Sequence, residues 1–341
     1  MSATDRYRID FEKLEKWIQA GGFKTILIQS PPGLRGAAVE LAEKLSHLTE
    51  TILLHGGSCW GGCDIAFRDA ETLKADAIIH LGHARFLEKT PIPTYYLECR
   101  YKIPLRLLDA LERLESPLAG FKRVGLGLVV QWLDFLGHIR KKLKEMGFDV
   151  FVGEPVFPLR YEGQVLGCGY FPLLKISDKV DCFLVIGSKF HGLGLALQTN
   201  KRTYAIDPEA GKIFDLEGDV KKLLRSRYAY IERFKRTRRV GVIVSVKPGQ
   251  LRLKLASKLR KILKRHNKQV EIFVMDDVSE SHLKDLPVEG FVNTACPRLS
   301  VEDQLEIDKP LLLPAETLIA LGELRWRETI RTPKYLLMEV P

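Results

Sequence analysis

Apolar residues along this chain follow two periods, one typical of buried strands and one typical of helices. Short runs rich in β-branched residues predict strands at 24–30, 51–54, 76–83 and 93–97. Apolar residues at helical spacing lie between these runs, and an amphipathic helix is predicted ahead of them at 5–20. Strands that alternate with helices indicate right-handed βαβ units and a parallel sheet.

The same order of elements then occurs twice more. The second copy has predicted strands at 122–131, 149–152, 181–187 and 202–206, with a helix at 132–146. The third has predicted strands at 240–245, 270–275, 289–297 and 310–313, with a basic helix at 249–266. We therefore expect an α/β protein of three similar domains, at 1–118, 119–236 and 237–341. Each should hold a small parallel four-stranded sheet flanked by helices, and the three should surround one central site.

Each copy carries a cysteine near the carboxyl end of a strand. Cys63 ends a glycine-rich loop, and it precedes Asp76 by 13 residues, as Cys168 precedes Asp181. Cys296 stands instead at the end of the third strand of its copy. Because ligands bind outside the carboxyl ends of strands in open parallel sheets, we expect the three thiols to converge.

Composition narrows the class of protein. Six cysteines in 341 residues are too few and too scattered for a disulfide scaffold, which indicates a reducing compartment. The chain shows neither a membrane-spanning apolar run nor a signal peptide, so a cytoplasmic protein without a membrane partner is expected. The net charge of +10 favours acidic partners. The basic residues mostly recur at helical spacing without interleaved aromatics, so we expect no specific nucleic-acid binding.

Three converging thiolates are compatible with two kinds of metal centre. One is a zinc site that lacks a ligand, and the other is an iron–sulfur cluster with one iron left open. Zinc sites usually use close cysteine pairs, whereas Cys59 and Cys63 are separated by three residues. This spacing favours the cluster, although His55 or His83 could complete a zinc site. The other cysteines, Cys99 and Cys182, are expected in the core, and Cys59 is expected to be a bystander.

Glutamines recur where the first strand of each copy ends. Gln29 and Gln131 close the first strands of two copies, and Gln250 follows that of the third. A side-chain amide both donates and accepts hydrogen bonds, which suits recognition of an amino acid; capping of the next helix is the alternative. The nearby Ser30-Pro-Pro-Gly33 lacks the phosphate-loop pattern, so a nucleoside triphosphatase is not expected.

Several motifs, in order, resemble a known family. They are Gln29-Ser-Pro-Pro-Gly-Leu34, Trp60-Gly-Gly-Cys-Asp64, His80-Leu-Gly-His83, Gly163-Gln-Val-Leu-Gly-Cys168, Phe190-His-Gly-Leu-Gly194, Ala205-Ile-Asp-Pro208, Val246-Lys-Pro-Gly-Gln-Leu-Arg252 and Ala295-Cys-Pro-Arg298. Together they resemble the archaeal 2-(3-amino-3-carboxypropyl)histidine synthases, which start diphthamide biosynthesis. The family often has Tyr-Gly-Ala-Cys where this chain has Trp60-Gly-Gly-Cys63, a conservative difference.

The resemblance implies a homodimer of three-domain subunits in which Cys63, Cys168 and Cys296 bind a 4Fe-4S cluster. It implies that S-adenosylmethionine is the cosubstrate and occupies the fourth iron. In this family the reduced cluster breaks the bond between the sulfonium and Cγ, which releases methylthioadenosine. The 3-amino-3-carboxypropyl fragment is joined to C2 of a histidine imidazole on elongation factor 2. The C-x-x-x-C-x-x-C motif of ordinary radical S-adenosylmethionine enzymes is absent, since Ala66 replaces its third cysteine.

Further polar residues are candidates for binding the cosubstrate. Gln29, Ser30, Gln131 and Gln250 are predicted to hold the cosubstrate, with His83 and Arg298 as additional candidates. No catalytic side chain beyond the cluster is predicted, and the electron donor is an unidentified partner. The basic surface is expected to help dock elongation factor 2. The alternative from another class is a non-catalytic iron–sulfur or zinc-binding partner subunit, against which the presence of all three motif cysteines argues.

Overall fold

The computed structural model describes residues 4–104, 106–302, 304 and 307–336. Its strands are β1 (Tyr7–Arg8), β2 (Thr25–Gln29), β3 (Thr51–His55), β4 (Ala77–Leu81), β5 (Thr94–Leu97), β6 (Arg100–Tyr101), β7 (Arg123–Leu128), β8 (Asp149–Phe151), β9 (Cys182–Ile186), β10 (Arg202–Asp207), β11 (Lys212–Asp215), β12 (Arg239–Ser245), β13 (Gln269–Met275), β14 (Gly290–Asn293) and β15 (Leu311–Leu312). Its helices are α1 (Phe11–Gly21), α2 (Arg35–Leu45), α3 (Phe67–Thr72), α4 (Leu107–Glu112), α5 (Leu136–Glu145), α6 (Phe171–Leu174), α7 (Lys189–Ala196), α8 (Glu217–Lys235), α9 (Leu253–Arg265), α10 (Glu280–Lys284), α11 (Pro297–Val301), α12 (Pro314–Ala320) and α13 (Trp326–Thr329).

Three sheets with one common topology form the framework. Their strand orders are β3-β2-β4-β5, β8-β7-β9-β10-β11 and β13-β12-β14-β15. In each sheet the chain's second strand lies outside its first, and the third and fourth follow on the other side. The first four strands of every sheet are parallel. The predicted α/β class and the threefold repeat are confirmed.

The middle sheet differs from the prediction by one strand. The sequence predicted four strands, whereas β11 adds a fifth that pairs antiparallel with β10. The connecting turn places Gly211 at φ +64°, a conformation that glycine adopts without strain.

The starts of three helices also differ from the prediction. Near the amino end β1 pairs with β6, and the first helix begins at Phe11 rather than at residue 5. The helix predicted at 132–146 opens as a 3₁₀ helix at Val130–Phe135 before α5, and the one predicted at 249–266 begins at Leu253.

A carboxylate at the start of the third strand fixes the start of the first strand in every copy. Asp76 accepts hydrogen bonds from the backbone N–H groups of residues 24 and 25, both at 2.8 Å. Asp181 accepts in the same way from residues 122 and 123, and Glu289 from residues 238 and 239. These backbone hydrogen bonds lower the pKa of the Asp76 and Glu289 carboxyl groups, and the Arg123 guanidinium lowers that of Asp181 further. The repeat therefore extends from topology to individual contacts.

Packing joins the second and third copies. Ile231 and Phe234, near the end of α8, belong to the core of the third sheet, while Tyr335 and Leu336 belong to that of the middle sheet. Between these cores the Arg227 guanidinium, 1% exposed, forms an ion pair with the fully buried Glu316. We propose domain boundaries after residues 118 and 236, with α8 packing against both the second and the third domain.

The sequence left open how the segment 326–341 packs. Residues 335 and 336 of this segment are buried, and residues 337–341 lie outside the described residues.

Within the described residues, none of the helices combines the length and the apolar character needed to cross a membrane.

Candidate metal centre

The three predicted ligand cysteines line one cavity. Cys63, Cys168 and Cys296 all border a space of about 600 Å³ between the three sheets. They are partly exposed to it, whereas Cys59, Cys99 and Cys182 are buried. Cys99 and Cys182 belong to apolar clusters, as expected. Tertiary structure therefore separates the six cysteines into three that line this cavity and three that do not.

Two of the three cavity cysteines are held through their backbone carbonyls. The Cys63 carbonyl accepts a hydrogen bond of 2.8 Å from the N–H of Gly249, which belongs to the third copy. A Cβ atom on Gly249 would lie 2.5 Å from the Cβ of Cys63, so only glycine permits this approach. Cys296 directly precedes α11, and the Asn293 side chain donates a 2.7 Å hydrogen bond to its carbonyl. The Cys63 loop is thus fixed against a different domain from its own.

The thiols influence one another electrostatically. Burial raises the pKa of Cys63, of Cys168 and of Cys296, the last to about 12. Negative charge on Cys296 and on Cys63 raises the pKa of Cys168 further, because all three thiols border the same cavity. Three adjacent thiolates need a cationic centre to compensate their charge. A three-cysteine donor set of this kind fits a 4Fe-4S cluster with one open iron.

The rest of the cavity wall is apolar with a basic side. Phe86, Phe157, Leu166 and Phe171 provide apolar surface that limits contact with water. Basic side chains from the start of α9 and the residue before it line the same space: Arg252, Lys254 and Lys258. The cavity therefore suits a ligand that carries both apolar and anionic groups.

Of the predicted cosubstrate residues, Gln250 lies with the cysteines. Its side-chain Nε2 is 3.4 Å from the Cys63 sulfur and donates to it, and this hydrogen bond opposes the burial effect on the pKa of Cys63. Gln29 is used differently. It is 1% exposed, donates to the Asp64 carbonyl at 2.9 Å, and accepts from the Ala66 N–H at 3.1 Å. Gln29 thus holds the loop that carries Cys63, and Ser30, which follows it, is also buried.

Gln131, His83 and Arg298 do not line this cavity. Gln131 and His83 line a second space of about 510 Å³, between the first and middle sheets, together with Ser188 and His191. Gln131 donates to the Gly82 carbonyl at 2.6 Å there. Arg298 forms a bidentate ion pair with Glu302, and its guanidinium lies 4.0 Å from the centre of the Phe190 ring. The six residues are therefore distributed over four surroundings.

A buried lysine beside the Cys63 loop was missed at the sequence level. Lys247, which follows β12, is 5% exposed, and its Nζ lies 3.0 Å from Asp64. The same Nζ lies 3.1 Å from Asp277 and 3.4 Å from Asp276. Burial of the Asp64 carboxyl raises its pKa, which the Lys247 ammonium opposes. The adjacent aspartates that follow β13, Asp276 and Asp277, were the sequence signal for a buried cation. Asp64, the buried partner of Lys247, lies too far away in the chain to be recognised from the sequence.

Comparisons with known proteins show which family the chain resembles. A family model described as "Putative diphthamide synthesis protein" matches residues 30–331. The 2-(3-amino-3-carboxypropyl)histidine synthase of Pyrococcus horikoshii is 36% identical over 320 residues, which cover 93% of this chain and 91% of that protein. The protein of the same name from Methanocaldococcus jannaschii is 25% identical over 330 residues, covering 92% and 87%.

A solved structure shares the fold. The crystal structure of Dph2 from Pyrococcus horikoshii with a 4Fe-4S cluster has a TM-score of 0.86 and 34% sequence identity, covering 94% of this chain and 92% of that one. The relatives are named as synthases, so the prediction of an enzyme of this class is confirmed. The extent of the family match and the shared fold lead to one conclusion. This chain belongs to the diphthamide synthesis protein family.

Proposed function

We propose that this chain transfers the 3-amino-3-carboxypropyl group of S-adenosylmethionine to C2 of a histidine imidazole in elongation factor 2. The observation that carries the proposal is the convergence of Cys63, Cys168 and Cys296 on one cavity. The name of the relatives and the 4Fe-4S cluster of the Pyrococcus horikoshii protein support it. These three cysteines would hold a 4Fe-4S cluster. When bound, the cluster supplies the electron that cleaves the bond between the sulfonium and Cγ.

The chain's own residues bind and orient the cosubstrate and the protein substrate. Gln250 donates to the Cys63 sulfur at 3.4 Å and stands at the wall where a cosubstrate would lie. The aromatic side chains of Phe86 and Phe171 restrict water around a reactive carbon fragment. Arg252 and Lys254 place positive charge where the carboxylate of the transferred group or an acidic face of the protein substrate would approach.

The transfer is redox-neutral overall. One electron, from a donor that is a further partner of this chain, breaks the sulfonium–Cγ bond, and methylthioadenosine leaves. A carbon–carbon bond then forms at imidazole C2, whose hydrogen is lost as a proton to solvent while one electron passes back to the donor. The remaining parts of the proposal are a homodimer and a cytoplasmic location.

The test is an anaerobic assay with dithionite, S-adenosylmethionine and elongation factor 2. We expect methylthioadenosine, and a gain by the target protein of the mass of one 3-amino-3-carboxypropyl group. Replacing Cys63, Cys168 and Cys296 by alanine should abolish both products, whereas the matched variant Cys99→Ala, in the core of the first sheet, should keep them. Release of 5′-deoxyadenosine, or a variant that lacks the three cysteines yet remains active, would overturn the proposal.

A further inference from the structure

A buried cysteine and two histidines form a second group of metal-ligating side chains, outside the cavity of the three cysteines. Ligand atoms of Cys59, His80 and His83 all lie within 4.8 Å of one another. Cys59 and His80 are buried, at 5% and 0% exposure. The sequence analysis treated Cys59 as a bystander, and the proposed function uses neither Cys59 nor His80.

Local structure explains how the two histidines meet. His80 lies in β4, and the chain turns back directly after this strand at Gly82, whose φ is +87°. A residue with a Cβ atom is strained at this φ, and its Cβ would also lie 2.6 Å from the end of the Leu34 side chain, so the turn favours glycine. As a result His83 returns beside His80, with its Nδ1 2.9 Å from the Nε2 of His80. Cys59 reaches them from the glycine-rich loop after β3.

Hydrogen bonds fix the tautomer of His80. The Gln29 side-chain oxygen accepts from the N–H of Ala66 and lies 3.0 Å from the Nδ1 of His80. An amide oxygen only accepts hydrogen bonds, so Nδ1 of His80 carries the proton and Nε2 presents its lone pair to the group. Histidines that bind metals typically donate their other N–H to an oxygen in this way. Gln29 thus stands where the outer partner of a metal ligand is expected.

The surroundings favour neutral histidines and a cation. Burial lowers the pKa of His80 well below its ordinary value and that of His83 to about 4, so both rings keep a lone pair at neutral pH. Burial raises the pKa of the Cys59 thiol to about 12, and negative charge on Asp64 raises it further. A divalent ion would remove this penalty, because the thiol proton leaves and the ion compensates the thiolate.

We propose that Cys59, His80 and His83 form a binding site for a zinc-class divalent ion, separate from the three-cysteine centre. Two imidazole nitrogens and one thiolate are donors typical of such ions, and a water molecule can complete a tetrahedral set. On binding, the Cys59 thiol loses its proton to solvent and the proton on Nδ1 of His83 moves to Nε2. The ion connects the loop that carries Cys63 to the end of β4. This proposal is independent of the proposed function.

The experiment uses Co²⁺ as the probe and the full-length chain with Cys63, Cys168 and Cys296 replaced by alanine, so that the other centre cannot bind it. We expect one Co²⁺ per chain, a thiolate-to-cobalt charge-transfer band, and visible bands of tetrahedral intensity. Adding Cys59→Ser should abolish the charge-transfer band, and His83→Gln should weaken binding at least tenfold. Gln29→Leu should weaken it about 10- to 100-fold, as removal of an outer partner does. Cys182→Ser, a buried cysteine of the middle sheet, is the matched control and should leave binding unchanged.

Two results would overturn the proposal. One is a folded variant, by circular dichroism, that binds no Co²⁺. The other is a charge-transfer band that persists after Cys59→Ser. In case the triple variant does not fold, metal analysis of the anaerobically purified wild-type chain and of its Cys59→Ser variant decides the question. We expect one non-cluster metal ion per wild-type chain and none in the variant, and equal contents would refute the site.

Discussion

Replacing Lys247 by methionine tests whether the Cys63 loop is fixed by charge across a domain boundary. The Lys247 and Asp64 side chains are 5% and 7% exposed, so the substitution leaves a carboxylate buried without its cation. Removing one partner of a buried ion pair costs about 3–5 kcal/mol. Asp276 and Asp277 are 44% and 43% exposed, so each contact with them contributes about 0–1 kcal/mol. We therefore expect Lys247→Met to destabilise the cluster-free chain by about 3–5 kcal/mol.

The assay is urea unfolding of the cluster-free chain, followed by circular dichroism. A matched control is Lys16→Met, because Lys16 pairs with Glu12 on the surface of α1 with 71% and 78% exposure. This control should change stability by less than about 0.5 kcal/mol. Adding Asp64→Asn to Lys247→Met removes the unpaired charge and should recover most of the loss. If Lys247→Met unfolds like Lys16→Met, the reasoning about the buried pair is wrong.

Two further predictions concern the remainder of the fold. Arg227→Met leaves the fully buried Glu316 without its cation and should cost about 3–5 kcal/mol in the same urea assay; a loss under about 1 kcal/mol would contradict this. Three carboxylates fix the strand starts: Asp76, Asp181 and Glu289. Their pKa values are lowered from the ordinary values of 3.8, 3.8 and 4.5. The stability that they contribute is therefore present above the ordinary values and is lost as the pH falls through the lower pKa values of the folded state. Replacing them by Asn, Asn and Gln should therefore lower the thermal midpoint at neutral pH and narrow the difference from wild type in acid; a difference independent of pH would refute the assignment.

Local patterns were sufficient for much of the architecture. Runs of β-branched residues gave the order of strands in all three copies, since a strand buried on both faces needs apolar side chains throughout. The strand β11 was missed because its few residues, Lys212–Asp215, are half polar and half exposed. Its pairing depends on a turn at Gly211 more than on an apolar pattern.

The polar residues of the site were harder to assign. Gln29, Gln131 and Gln250 end or follow equivalent strands, yet Gln250 alone among them lines the cavity of the three cysteines. The Gln29 amide is occupied by backbone groups of the Cys63 loop, and Gln131 borders a different space. Equivalent positions in a repeat give side chains the same place relative to their own sheet. The residues of the neighbouring domain determine which groups each side chain contacts.

The sequence by itself determined the fold class and the threefold repeat, and it indicated one cysteine of interest in each copy. These features depend on local periodicity and on the backbone freedom of glycine. Tertiary structure decided which groups are partners. Lys247 reaches Asp64 across 183 positions of the chain, and Cys59 meets His83 after a turn that the periodicity does not describe. The physical reason is that burial and electrostatic interaction depend on distance in space, and the packing of three domains brings together residues that are remote in sequence.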